Sequence, residues 1–99
     1  MDALFSTALS GMNAAWTRLG VSAHNVANLP TPGFRPQQAA LSTRAGGGVD
    51  VAITRAPEPG VSLPEAIVEQ MSARHAFAAN LSVFKAGDSL LGTLLDLQA

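Results

Sequence analysis

Two prolines set two residues apart constrain this chain more than any other feature. From Ala3 to Asn28 the sequence runs without a proline, and then Leu29-Pro30-Thr31-Pro32-Gly33-Phe34 breaks it. Pro30 and Pro32 each lack a backbone N–H and fix φ, so a helix arriving from the N-terminal side must stop here. The residue before each proline is also pushed out of the helical region. Pro32-Gly33 is a turn signal, with Gly33 free to take φ > 0. A long helix therefore ends, the chain turns sharply, and Phe34 offers a large apolar group just past the corner.

The segment before the break has the period of a helix, predicted over about 3–28 and roughly 40 Å long. Phe5, Met12, Leu19 and Val26 are seven apart, and Leu9, Trp16 and Ala23 follow at an offset of four. That is an apolar seam of the coiled-coil type. Met1-Asp2 provides an acidic N-cap. Off the seam the residues are small (Thr7, Ala8, Ser10, Gly11, Ala14, Ala15, Thr17, Gly20), and after Asp2 the only formal charge is Arg18. Two internal glycines, each costing up to about 1 kcal/mol in a helix, mark weak autonomous helicity or close approach of another backbone. A mediocre surface helix is one account of this pattern. The other is a helix buried on more than one side.

A second long helix is predicted over 64–97, roughly 50 Å if unbroken. Ser62 can cap it, Pro64 sits in its first turn, and Glu65 favours the positive end of its dipole. Its stripe runs Ile67, Met71, Phe77, Leu81, Phe84, Leu91 and Leu95, interrupted by Arg74 and Asp88. Asp88 is either a charge at the edge of the seam or a polar contact that sets register with another helix. Leu90, Leu91, Leu94, Leu95 and Leu97 make the last turns apolar on several faces, which a monomer leaves partly exposed. Between the helices, Gln37–Ser42 and the alternating Val49–Thr54 read as short strands, separated by Gly46-Gly47-Gly48. An isolated pair of strands is marginal in water. The chain thus divides into 1–36 (helix and turn), 37–63 (a short irregular or β-hairpin middle) and 64–99 (second helix), one mainly α structural unit with its helices paired as in a coiled coil.

Composition narrows the function. Charged residues are 13% of the 99, against about 25% in ordinary soluble domains, and apolar residues are 47%. The surface is short of charge for a monomer: either this is a small, poorly charged globule, or other subunits cover it. A net charge of −1 points to neither nucleic acid nor an anionic membrane as partner. No run approaches the ~18 apolar residues of a membrane span. The acidic start lacks the basic region of a secretory signal peptide, so any export is expected to use a route without a cleaved signal. There is no cysteine, hence no disulfide or thiolate site. His24 and His75 have no third ligand at a recognisable spacing, so no metal or cofactor is expected. Ser82-Val83-Phe84-Lys85 has the Ser-x-x-Lys form of a β-lactamase nucleophile without its companion motifs. Glu65 and Glu69 read as a solvated first turn. Nothing in the sequence supports an enzyme.

The break and its flanks resemble a known signature. Ser22-Ala23-His24-Asn25-Val26-Ala27-Asn28 followed by Thr31-Pro32-Gly33-Phe34-Arg35, with Leu9-Ser10-Gly11-Met12-Asn13-Ala14-Ala15 upstream, is similar to the N-terminal region of the bacterial flagellar rod and hook proteins. Leu29-Pro30 departs from that pattern, where polar or small residues are usual. The second helix also resembles the family's C-terminal helix in Val68-Glu69-Gln70-Met71, in Arg74-His75-Ala76-Phe77-Ala78-Ala79-Asn80, and in its closing leucine cluster. The short middle looks most like that of a proximal rod protein. The resemblance implies a structural subunit of the flagellar basal body whose terminal helices pack together and whose copies stack helically. It implies other rod subunits, further copies of itself and the flagellum's own export apparatus as partners. On that reading Phe5, Leu9, Met12, Trp16 and Leu19 pack against Phe77, Leu81, Phe84, Leu91 and Leu95. Asn25, Asn28, Pro32, Gly33 and Phe34 shape the corner, and Asn80 belongs to the second helix's packing face. A helical-hairpin adaptor, closed as a dimer or four-helix bundle, is the alternative.

Overall fold

A computed structural model describes residues 2–98 and shows a mainly α chain with a β-hairpin between two long helices. The order is α1 (Asp2–Ala27), β1 (Gln37–Thr43), β2 (Val49–Arg55) and α2 (Leu63–Gln98). The molecule is a rod of 63 × 25 × 14 Å. The N-cap expected at Met1-Asp2 falls partly outside the described residues. Asp2 itself lies in the first turn of α1, where a carboxylate favours the dipole.

α1 ends where the prolines require. Thr31-Pro32-Gly33-Phe34 closes a turn through a Phe34 N–H donated to the Thr31 carbonyl at 3.3 Å, with Gly33 at φ 72°. Proline at the second position and a positive φ at the third make it a type II turn. One turn earlier the Thr31 N–H bonds the Asn28 carbonyl at 2.9 Å. The Asn28 side chain donates to the His24 carbonyl, which also accepts the Asn28 N–H, and accepts from the Thr31 hydroxyl, tying the helix end to the turn. At the start of α2 the Ser62 hydroxyl lies 3.5 Å from the Glu65 N–H, the geometry of an N-cap.

The two strands pair antiparallel from Gln37↔Arg55 to Thr43↔Val49. Gly46, Gly47 and Gly48 all take positive φ in the connecting turn. The hairpin is not isolated, which is why it can persist. Its apolar face, Ala39, Val49 and Val51, lies on α1. Two side chains of α1 fasten it. Ser10 Oγ accepts the Val49 N–H at 3.1 Å while donating to the Thr7 carbonyl. Asn25 donates from Nδ2 to the Gln37 carbonyl (2.9 Å) and accepts the Gln37 N–H (2.8 Å), so its amide stands in for a neighbouring strand.

α1 and α2 run antiparallel. Ser22 Oγ donates to the Ala66 carbonyl, Arg18 meets Glu69 and Ser72, Gly11 faces Asn80, and Leu4 with Phe5 cover Gly87. The line of closest approach sits one residue before the expected seam on each helix. On α1 it is Leu4, Ala8, Gly11, Ala15, Arg18 and Ser22. On α2 it is Ala66, Ala73, Asn80 and Gly87, again seven apart. One residue is about 100° of rotation. The reason is that α1 must bury a second face, through Ser10, Ala14 and Val21, against the hairpin. The rotation that achieves this brings small residues to the helix–helix contact and leaves the large ones beside it. Asp88 is accordingly exposed at the edge, with Gly87 in the seam.

Candidate assembly surface

The third face of α1 holds the large apolar side chains. Phe5, Met12 and Leu19 line its edge toward α2, with Leu9 and Trp16 further out. Phe5 and Phe84 stack with ring centres 5.0 Å apart, and Trp16 lies 6.4 Å from Phe77. These aromatic pairs and half-buried Leu81 form a strip along one side of the helix pair. Met12 is buried and Leu19 half-buried, but Leu9 is 50% exposed and Trp16 69%. The expected set is therefore brought together as a surface strip, not as an enclosed seam.

α2 is ten residues longer than α1 and projects past it. With Leu4 opposite Gly87, the last turns, from about Leu90, lie beyond the first described turn of α1. Leu90, Leu94, Leu95 and Leu97 are all exposed there, Leu95 at 59%, and Leu91 is half-buried. Leu91 and Leu95, expected to face the first helix, instead extend the strip beyond it. Ile67, Val68 and Met71 expose further apolar area at the opposite end. The deepest positions are Ala8, Ala15, Ser22 and Ala73, and none of the large side chains described is fully buried. Small residues inside and large ones outside invert the usual arrangement, and a single copy leaves much apolar surface wet.

The corner is built around Phe34. Its half-buried ring meets His24 edge-on at 5.6 Å, and the Arg55 guanidinium stands 5.7 Å from its centre. The Phe34 carbonyl accepts the Gly60 N–H at 3.1 Å, tying the corner to the segment that leads into α2. Asn25 and Asn28, picked from the sequence as corner residues, thus have intramolecular duties: one holds the hairpin, the other closes the end of α1. Pro32 and Gly33 supply the turn. Ser10 as a fastening for the hairpin is not legible in the sequence, because a serine on a predicted helix face carries no mark of a tertiary partner.

Residues 5–35 match the family model described as flagella basal body rod protein. No curated protein matches the chain. The rod-family match covers the apolar face of α1, Asn25 of the clamp, the Asn28 cap and the type II turn. It bears out the resemblance over that segment, and it indicates a structural role in the flagellar basal body.

A groove of about 600 Å³ lies between the hairpin base, α1 and the start of α2, lined by Arg18, Asn25, Gln37, Glu65 and Glu69 among others. Arg18 and Glu69 pair with each other across it at 2.6 Å. Among the described residues no three His, Cys, Asp or Glu side chains come together as a metal site, and no helix is long and apolar enough to cross a membrane.

Proposed function

We propose that this chain is a structural subunit of the bacterial flagellar rod that assembles helically with other rod subunits, including copies of itself, through its terminal helices. The observation that carries this reading is the exposed apolar strip, Leu9 and Trp16 beside Phe77 and Phe84, continued by the leucines of the projecting end of α2. A heterologous contact on such a strip, made by surfaces that do not close on themselves, builds a filament. Phe5, Met12, Leu19, Leu81, Leu91 and Leu95 belong to the same surface. The corner of Asn25, Asn28, Pro32, Gly33 and Phe34, with Asn80 inside the helix pair, holds it in shape. Segments 1–36 and 64–99 act as one assembly unit, and 37–63 is the short variable insert. The subunit does no catalysis. It reaches the periplasm-spanning rod through the flagellar export apparatus.

The test is light-scattering mass across a hundredfold concentration range, with electron microscopy of the products. Open-ended polymers that grow with concentration support the reading, and Trp16→Ser should suppress them while leaving the helicity of the dilute chain unchanged. A dimer or tetramer of fixed mass at every concentration would replace it with the closed helical-hairpin adaptor.

A further inference from the structure

Seams of small residues repeated every seven positions have a weakness: they fit equally well when one helix slides by a heptad. Slid by a heptad, Ala8 would meet Gly87 and Ser22 would meet Ala73, small residues facing small residues again. Two side-chain-over-glycine contacts distinguish the registers: Leu4 and Phe5 cover Gly87 near one end, and a tighter one lies at the middle of the pair. The Asn80 side chain occupies the notch left by the missing side chain of Gly11. A Cβ built on Gly11 would lie 2.6–2.7 Å from its Oδ1, Cγ and Nδ2, closer than real Cβ atoms approach. The amide is held in that position by donating from Nδ2 to the Ala76 carbonyl one turn back, at 2.9 Å.

We infer that Asn80 seated over Gly11 is the key that sets the axial register of the two helices, and with it how far the leucine-bearing end of α2 projects. Slid by seven residues, Asn80 would face Leu4 or Arg18, neither of which offers a notch. Each slip moves α2 by about 10 Å along α1. The projecting end, from about Leu90 to Gln98, is itself only about two residues longer than that. Other restraints act beside it: flexible Leu4 and Phe5 side chains cover Gly87, and Ser22 Oγ donates to the Ala66 carbonyl. The hairpin docks on α1, and the segment before α2 is tied to the corner by a single Gly60–Phe34 backbone bond. Arg18 and Glu69 have long, adaptable side chains, and Glu69 is half-exposed. This inference concerns the helix pair and holds whether or not the chain assembles into a rod.

The full chain has no cysteine, so spin labels can be placed cleanly at Asn13→Cys on α1 and Thr93→Cys on α2, both exposed. Pulsed electron–electron distance measurement on the otherwise unaltered chain should give one narrow distance. Asn80→Ala, which favours helix, should keep helicity by circular dichroism while adding a second population displaced by up to about 10 Å. Exchanging the partners, Gly11→Asn with Asn80→Gly, should restore a single distance, because notch and key have only changed sides. An unchanged single distance in Asn80→Ala overturns the inference, since the tether at Gly60 would then fix the register. Loss of helicity in Asn80→Ala overturns it too, making Asn80 a plain stability residue.

Discussion

Replacing Ala73 by leucine tests the inverted arrangement of side-chain sizes most directly. Ala73 is 0% exposed and sits at the middle of the α2 seam, between Ala66 and Asn80. Leucine adds three heavy atoms where two backbones approach closely and no void receives them. Burying a leucine is ordinarily favourable by about 2 kcal/mol, but forcing extra methylenes into a filled contact costs about 1–3 kcal/mol net. A 99-residue chain has a total stability of roughly 5–15 kcal/mol, so a loss of about 2 is a large share of it. The assay is urea unfolding followed by circular dichroism at 222 nm, in dilute protein to keep subunits apart. The midpoint should fall with the slope unchanged. Ala78→Leu, on the exposed side of the same helix, should move it little. The partner experiment is Leu9→Ala. Leu9 is half-exposed, so its loss should cost about 1 kcal/mol, well below the 2–5 of a buried leucine. If Ala73→Leu is neutral and Leu9→Ala costs as much as a core truncation, the seam runs through the large residues and the reasoning here fails.

Three further outcomes follow from named contacts. Asn25→Ala removes both bonds to Gln37, each contributing about 1 kcal/mol; amide hydrogen exchange should speed up across 37–55 while the middle of α1 stays protected, and Asn25→Asp, which keeps only the acceptor, should fall between. Gly33→Ala should cost about 1 kcal/mol through backbone strain alone, because φ is 72° and nothing lies near its missing Cβ; the thermal midpoint reports it. Glu69→Gln should lower stability by no more than about 1 kcal/mol, and the difference from the parent chain should shrink as salt rises, since its pair with Arg18 is partly open to solvent.

How far the sequence revealed this molecule depends on the range of the interaction involved. Both helices, their ends and the type II turn follow from local rules: Pro30 and Pro32 stop one helix, Gly33 accepts a positive φ, and Ser62 with Pro64 starts the other. The strands were legible from alternation at Val49–Thr54, and their pairing from the glycine turn. The rotation of α1 was not. Hydrophobic periodicity finds the large residues and assumes they point at the partner helix. Here the hairpin claims the face of Ser10, Ala14 and Val21, and the helix turns by one residue to serve both partners. A clue was present in the heptads Ala8–Ala15–Ser22 and Ala66–Ala73–Asn80–Gly87, which are as regular as the large-residue heptads beside them. Periodicity weighted by size overlooks them, because alanine and glycine carry little hydrophobic signal. Gly11 reads from the sequence as helix-weakening or as a point of close approach, and Asn80 seen across from it decides for the second; Leu4 and Phe5 cover Gly87 in the same way.

The same rotation connects the fold to assembly. Had α1 and α2 met through Phe5, Leu9, Trp16, Phe77 and Leu81, the pair would have enclosed its large side chains and offered neighbours a surface of alanine, glycine and serine. Such a surface associates weakly, because hydrophobic stabilisation scales with apolar area removed from water. By spending small residues on the internal contact, the chain keeps its aromatic and leucine side chains for the outside. The cost is a thin intramolecular core, with the deepest positions occupied by alanine and serine; in the assembly proposed above, that makes a subunit whose stability depends on being covered. Binding stabilises whatever state it selects, so on this account each copy gains much of its order from its neighbours. The internal seam then needs little strength. It needs a definite register, since an end of α2 displaced by about 10 Å would present its leucines to the wrong part of the next subunit.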